Sequence, residues 1–143
     1  MISQTAEYAL RAVACLSRDP GAPMTTQQVA DVTRVPMPYL SKVIQSLVRA
    51  GIVHSQRGLH GGVSLLHSPE SLTVYEVIQA VDPLQRITSC PLGIESHGTQ
   101  LCPLHRRLDD AMCQVEQAFR QSTIADLMSE PSSSVPFCSE PAA

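Results

Sequence analysis

Apolar residues recur along the chain with a helical period at several separate places. In the first, Ala6, Ala9, Leu10, Val13, Ala14 and Leu16 fall close to an i, i+3, i+4, i+7 spacing, which predicts a helix over 3–18 with Ser3 or Thr5 as its cap. The turn "DPGAP" ends it, and Thr25 with Gln28 three residues on forms a capping box that opens a short helix over about 26–32. "RVPMPYL" then interrupts with two prolines. Pro36 or Pro38 suits the start of the next helix, where a missing N–H costs no hydrogen bond. From Tyr39 to Ala50, Leu40, Val43, Ile44, Leu47 and Val48 share one face, and Ser41, Lys42, Gln45, Ser46 and Arg49 another; Gly51 is the expected stop. In "IVHSQRGLHGGVSLL" apolar and β-branched residues flank Gly58, Gly61 and Gly62, the pattern of a hairpin.

Beyond the hairpin, Thr73 and Glu76 form a second capping box, opening a helix through about Val81. A long amphipathic helix is predicted from about Pro103 to Gln121, with a seam of Leu104, Leu108, Ala111, Met112, Val115, Ala118 and Phe119. Thr123 with Asp126 caps a final turn, and the Pro- and Ser-rich segment after Ser129 lacks periodicity, as a disordered tail does. The predicted fold is mainly α with a small β wing: a winged helix-turn-helix domain plus a long dimerisation helix. A three-helix bundle with an incidental hairpin is the alternative. The expected divisions are a winged domain over 1–82, a loop rich in Cys and His over 83–105, the dimerisation helix and closing turn over 106–128, and the tail over 129–143. So short a chain leaves the long helix few partners, so its seam is expected to meet that of a second copy in a two-fold homodimer; packing back on its own domain is the other solution.

Composition narrows the function. The 143 residues are 43% hydrophobic but only 3% aromatic, with no Trp, so the core must be aliphatic. No apolar run reaches membrane-spanning length, and Glu7 and Arg11 interrupt the first apolar segment, which excludes a signal-peptide core there. We therefore expect a cytoplasmic protein without membrane partners, whose five cysteines are metal-binding, redox-active or buried rather than paired in structural disulfides. Charge is divided: residues 1–62 hold six Lys and Arg against three acids, residues 63–143 hold four against ten, and no acid occurs from Val32 to Pro69. The first half suits an anionic partner despite the overall charge of −3. No G-x-S-x-G, P-loop or H-E-x-x-H pattern appears, and no enzymatic activity is expected.

The remaining chemistry lies in "SCPLGIESHGTQLCPLH", residues 89–105. Cys90, His97, Cys102 and His105 have the spacing C-x6-H-x4-C-x2-H, compatible with tetrahedral zinc though not one of its strong signatures. A reversible Cys90–Cys102 dithiol, or a loop without metal, are the other readings. Cys15 lies in an apolar helical face and reads as a small core residue, while Cys138 sits in the tail. His54, His60 and His67 flank the wing.

In order along residues 1–128, "EYALRAVACL", "TTQQVADVTRVPMPYLSKVIQSLVRAGIV", "SQRGLHGGVSLL", "LTVYEVIQAVD", the cysteine loop and "STIADL" resemble the Rrf-type winged-helix transcriptional regulators, the IscR/NsrR-like group. The resemblance implies a dimer bound to a double-stranded DNA operator. The helix opening at "PMPYLSK" would be the recognition helix, bringing Pro38, Tyr39, Ser41 and Lys42 to the DNA, with Arg34 and Gln45 as further candidates. Arg57 matches a family arginine that enters the minor groove, and Gly61 and Gly62 would let the wing backbone approach phosphates. Ser41 departs from members that carry a glutamate there. The resemblance also implies a cluster-binding loop over 83–105 and a sensor of redox state, nitric oxide or iron–sulfur status. Cys90, Cys102 and His105 match ligands of an iron–sulfur cluster, most simply 2Fe-2S, while Ser96 replaces the middle cysteine. Glu7, His97 or Cys113 is the candidate fourth ligand, and Cys113 keeps a 4Fe-4S cluster open. Zinc, or no metal with a thiol switch, small ligand or protein partner, is the alternative.

Overall fold

Alanine occupies the inward positions of the first helix, so neighbouring helices can approach its axis closely. The computed structural model describes residues 2–97 and 100–137. Its elements in chain order are α1 (Gln4–Ser17), α2 (Thr26–Thr33), α3 (Met37–Arg49), β1 (Val53–Gln56), β2 (Gly62–Leu65), α4 (Val74–Val81), α5 (Pro103–Gln121) and α6 (Ile124–Ser129), with a short 3₁₀ turn at Glu95–His97. Helix α1 is central: Ala6, Ala9, Ala12, Val13 and Leu16 are buried, and α2, α3, α4, α6 and β2 all pack on it. Leu40, Val43, Ile44 and Leu47 of α3, Val77 and Ile78 of α4, and Val29 of α2 complete an aliphatic core. This is the expected mainly helical fold with a two-stranded wing.

The caps fall where the sequence places them. Ser3 accepts a hydrogen bond from the Ala6 N–H at 3.1 Å, and α2, α4 and α6 open on reciprocal capping boxes at Thr25/Gln28, Thr73/Glu76 and Thr123/Asp126. Helix α3 begins at Met37, between the two prolines expected at its start. Pro36 takes the N-cap in extended conformation and Pro38 lies in the first turn, where neither needs an N–H. Arg34 ends α2 in the left-handed region at φ 57°, its N–H donating to Ala30 O at 2.8 Å.

The wing strands pair antiparallel from Val53↔Leu65 to Gln56↔Gly62, and the chain before α2 adds a bridge to them. Met24 N donates to Val63 O at 2.9 Å and Val63 N to Met24 O at 2.7 Å. That bridge explains Gly62: its φ is +147°, and a Cβ there would lie 2.5 Å from Met24 O. At Gly61 a Cβ would strike Gln56 O and the Arg57 carbonyl carbon. The close approach these two glycines make is to the chain's own backbone.

A second bridge closes the other end of the molecule. Val74 N donates to Ser122 O at 2.9 Å and Ile124 N to Leu72 O at 2.8 Å, pairing Thr73 with Thr123. The bridge therefore brings the chain back from α5 to the start of α4, which is itself part of the core, and Ile124, in the closing turn, is fully buried in that core. No residue of α5 is fully buried: Phe119 packs against the core, while Leu104 and Leu108 are 63% and 50% exposed. After α6, residues 130–137 contain no helix or strand, and Cys138 lies outside the described residues.

Substituting Gly62→Ala should strain the wing backbone and break the Met24 bridge, at a cost of about 1–3 kcal/mol. A fall in melting temperature of roughly 4–12 °C by circular dichroism is expected, and an unchanged midpoint would show that the wing is not held at this point.

Candidate nucleic-acid interface and thiol loop

The amphipathic pattern of α3 sends its apolar face inward and leaves a polar one outside. Pro38, Tyr39, Lys42, Gln45 and Arg49 are exposed and Ser41 is half-buried. Tyr39 is 56% exposed, yet one side of it is held: its ring lies 6.1 Å from that of buried Tyr8, tilted by 54°. Arg11 sits behind this pair, its guanidinium 5.4 Å from the Tyr8 ring centre. The same guanidinium binds Glu7 at 2.9 Å and donates to Thr33 O at 3.2 Å. A line of contacts thus runs from Glu7 through Arg11 to Tyr8 and Tyr39, and from Arg11 to the turn before α3. Sequence reading missed Tyr8 and the reach of Arg11 to Thr33; the spacing of Glu7 and Arg11 was the available signal.

Arg34 is exposed at the α2–α3 turn, and Arg57 is exposed just past β1. Lys42, Arg49, Arg34 and Arg57 form no ion pair among the described residues, whereas Arg11, Arg86 and Arg120 do. No carboxylate lies between Val32 and Pro69 to repel phosphate from this surface. The outer strand residues His54, Ser55 and Gln56 are exposed beside it.

In the thiol loop the structure brings two of the expected donors together. Cys102 caps α5, and its Sγ lies 3.5 Å from His105 Nδ1, one turn along. Two tetrahedral ligands at ordinary Zn–S and Zn–N bond lengths sit about 3.5 Å apart, so this pair fits a shared metal. Cys90 is buried, and His97 has a buried Nδ1 with no hydrogen-bond partner. Among the described residues, however, no three Cys, His, Asp or Glu side chains converge. Glu7 is engaged by Arg11, and the Cys113 Sγ accepts from Gln117 Nε2 at 3.8 Å. Among the described residues, therefore, Cys102 and His105 have no third donor beside them. Cys15 is core, as expected: burial pushes its thiol pKa up, and its nearest partner is the Met24 sulfur at 3.9 Å.

A charged network that the sequence did not reveal pins the start of this loop to α5. Arg86 binds Asp109 in bidentate fashion at 2.7 and 2.8 Å, and its third nitrogen reaches Glu116 at 3.4 Å. Asp109 also accepts from Ile87 N at 2.9 Å. Glu116 passes the chain on to Arg120, whose guanidinium stacks 3.7 Å from the Tyr75 ring centre on α4. The Arg86 hydrogen bond, and then that from the Ile87 N–H, hold Asp109 well below the usual carboxylate range, at about 2. The pair separates residues by more than twenty positions, so no local pattern announces it.

The fold and the exposed basic face define a winged-helix DNA-binding regulator. Comparison with known proteins agrees. Residues 2–130 match the Rrf2 family, described as an iron-dependent transcriptional regulator, and the chain belongs to that family. The NsrR regulator of Shouchella clausii is 28% identical over 126 residues, covering 85% of this chain and 84% of that one. CymR, the global cysteine regulator of B. subtilis, has the same fold, with a TM-score of 0.75 at 24% identity over 92% of this chain and 98% of that one. T. potens IscR gives 0.74 at 23% over 89% and 85%. Among the described residues no helix is long and apolar enough to cross a membrane.

The folded pKa of Asp109 lies below its ordinary value near 4, so the Arg86 pair adds stability above that value and loses it as pH falls toward about 2. Hydrogen exchange at the Ile87 amide should accelerate selectively in that window, and Arg86→Gln should show the accelerated rate already at neutral pH. Equal exchange in both proteins would mean that the network does not hold the linker.

Proposed function

We propose that the chain is a homodimeric transcriptional regulator that docks α3 and the wing of each subunit on operator DNA and senses through its thiol loop. The observation that carries the DNA reading is the exposed, acid-free face of Pro38, Tyr39, Lys42 and Gln45, flanked by Arg34 and Arg57. Ser41, half-buried, sits at the edge of that face. Tyr39, held by Tyr8, is a rigid contact; Lys42 supplies phosphate charge, and Arg57 suits a narrow minor groove. Gly61 and Gly62 shape the wing that carries Arg57. Leu104 and Leu108 leave the outer end of α5 uncovered, which supports pairing of this seam with a second copy.

For the sensor, Cys102 and His105 would hold a metal jointly, with Cys90 as third donor and His97, Cys113 or Glu7 as fourth. A 2Fe-2S cluster bound there would supply one-electron redox change and reactivity toward nitric oxide. The chain's own part is to couple loop to reader. The Arg86–Asp109–Glu116 network ties the loop's first residues to α5, so a loop that gathers its ligands pulls on the helix that sets the spacing of the two reading heads. A second reading has no cluster and uses Cys90 and Cys102 as a reversible thiol pair, both cysteines being free thiols in the structure.

Lys42→Ala should weaken binding to operator and random duplex alike and lower the salt dependence by about one counterion per subunit. Leu108→Asp should shift sedimentation from dimer to monomer and weaken operator binding with it. If the wild-type chain fails to bind duplex DNA at low salt, the DNA reading is wrong.

Anaerobically purified protein should be red-brown with about two irons per chain, and Cys102→Ser or His105→Ala should change that spectrum. Operator affinity should differ between loaded, reduced and apo forms. A colourless protein that remains so after reconstitution would shift sensing to the thiol pair, and equal affinity in every form would remove sensing by this loop.

A further inference from the structure

The chain after α6 does not simply leave the molecule. Residues 131–134 are exposed, but Val135, Pro136 and Phe137 are half-buried, and Phe137 packs against the core cluster. Its ring closes one side of an open cleft of about 570 Å³ lined by Arg11, Arg18, Asp31, Thr33 and Arg34, between α1 and the α2–α3 turn. Phe137 also has φ +62°, a conformation that a bulky residue holds only where its surroundings compensate.

The place matters more than the contact. Arg34 is the left-handed residue that ends α2, two positions before the Pro36 cap of α3, and Thr33 O is the acceptor through which Arg11 grips that turn. Neither Arg18 nor Arg34 forms an ion pair among the described residues. Residues 131–137 carry no acid, so the docked segment adds no countercharge to a cleft in which, among the described residues, Asp31 is the one carboxylate beside Arg11, Arg18 and Arg34, while its aromatic ring takes up space in that cleft. A DNA phosphate approaching Arg34 would supply the missing charge. The leash is short and starts from α6, whose Ile124 is locked in the core, so the segment is presented to the cleft at high effective concentration.

We infer that this cleft is an intramolecular docking site for Val135–Phe137, and that the docked segment competes with DNA phosphate for Arg34 and Arg18. The competition rests on the DNA reading above; the docking does not. The chain contains no tryptophan, so Phe137→Trp in the full chain introduces a single reporter. Its emission should be blue-shifted in the free protein and move to the red on addition of random duplex. In Phe137→Ala, hydrogen exchange over residues 31–35 should accelerate, and duplex affinity should rise roughly three- to ten-fold, with a salt dependence steeper by about one counterion per subunit. Emission typical of exposed indole together with unchanged exchange would overturn the docking. Faster exchange with unchanged or weaker duplex affinity would overturn the competition. Absence of duplex binding in both proteins would overturn the DNA reading and the competition with it, while emission and exchange would still decide the docking.

Discussion

The small side chains of α1 are the constraint on which the rest of the molecule depends. Ala6, Ala9 and Ala12 have almost no exposed surface, and they let α2, α3, α4 and α6 converge on one helix. Larger residues would force these helices apart, since interiors are packed too densely to absorb extra methylenes. α1 carries, on adjoining faces, the alanines that set helix spacing and the Tyr8–Arg11 pair that orients Tyr39 and the α2–α3 turn. The distance from the core to the exposed face of α3 is therefore set within one helix.

A second division of labour lies between apolar and charged contacts. The winged domain is held by aliphatic burial, whereas α5 meets the rest of the chain through Phe119, the Arg86–Asp109–Glu116–Arg120 network and the Tyr75 ring. Partly exposed ion pairs are weak individually but orient strongly when bidentate. Such contacts suit an element whose position relative to the domain is to be adjusted rather than fixed.

Much of this was legible in the sequence because it is local. A capping box is four residues long, and all three that the pattern marked open helices in the structure; the glycine-centred hairpin and the extent of α5 likewise follow from adjacent residues. Where two prolines both satisfy the geometry of a helix start, the pattern could not choose between them, and α3 took the earlier. What escaped was non-local. Nothing near Arg86 signals Asp109, nothing near Phe137 signals the cleft at Arg34, and Gly62 shows its reason only when Met24 is brought across from before α2. In the thiol loop, the residue types were visible, and the structure adds that Cys102 and His105 lie within 3.5 Å of each other.

The bridge between Thr73 and Thr123 has a consequence for how such a chain can change over time. It is a neck: backbone hydrogen bonds at residues 72–74 and 122–124 join the start of α4, itself part of the core, to the end of α5. Residues can be inserted, removed or exchanged between α4 and α5 without altering the register at the neck, because closing a longer loop costs little extra entropy. The segment between α4 and α5 can therefore be edited separately from the winged domain, one scaffold accepting loops of different chemistry.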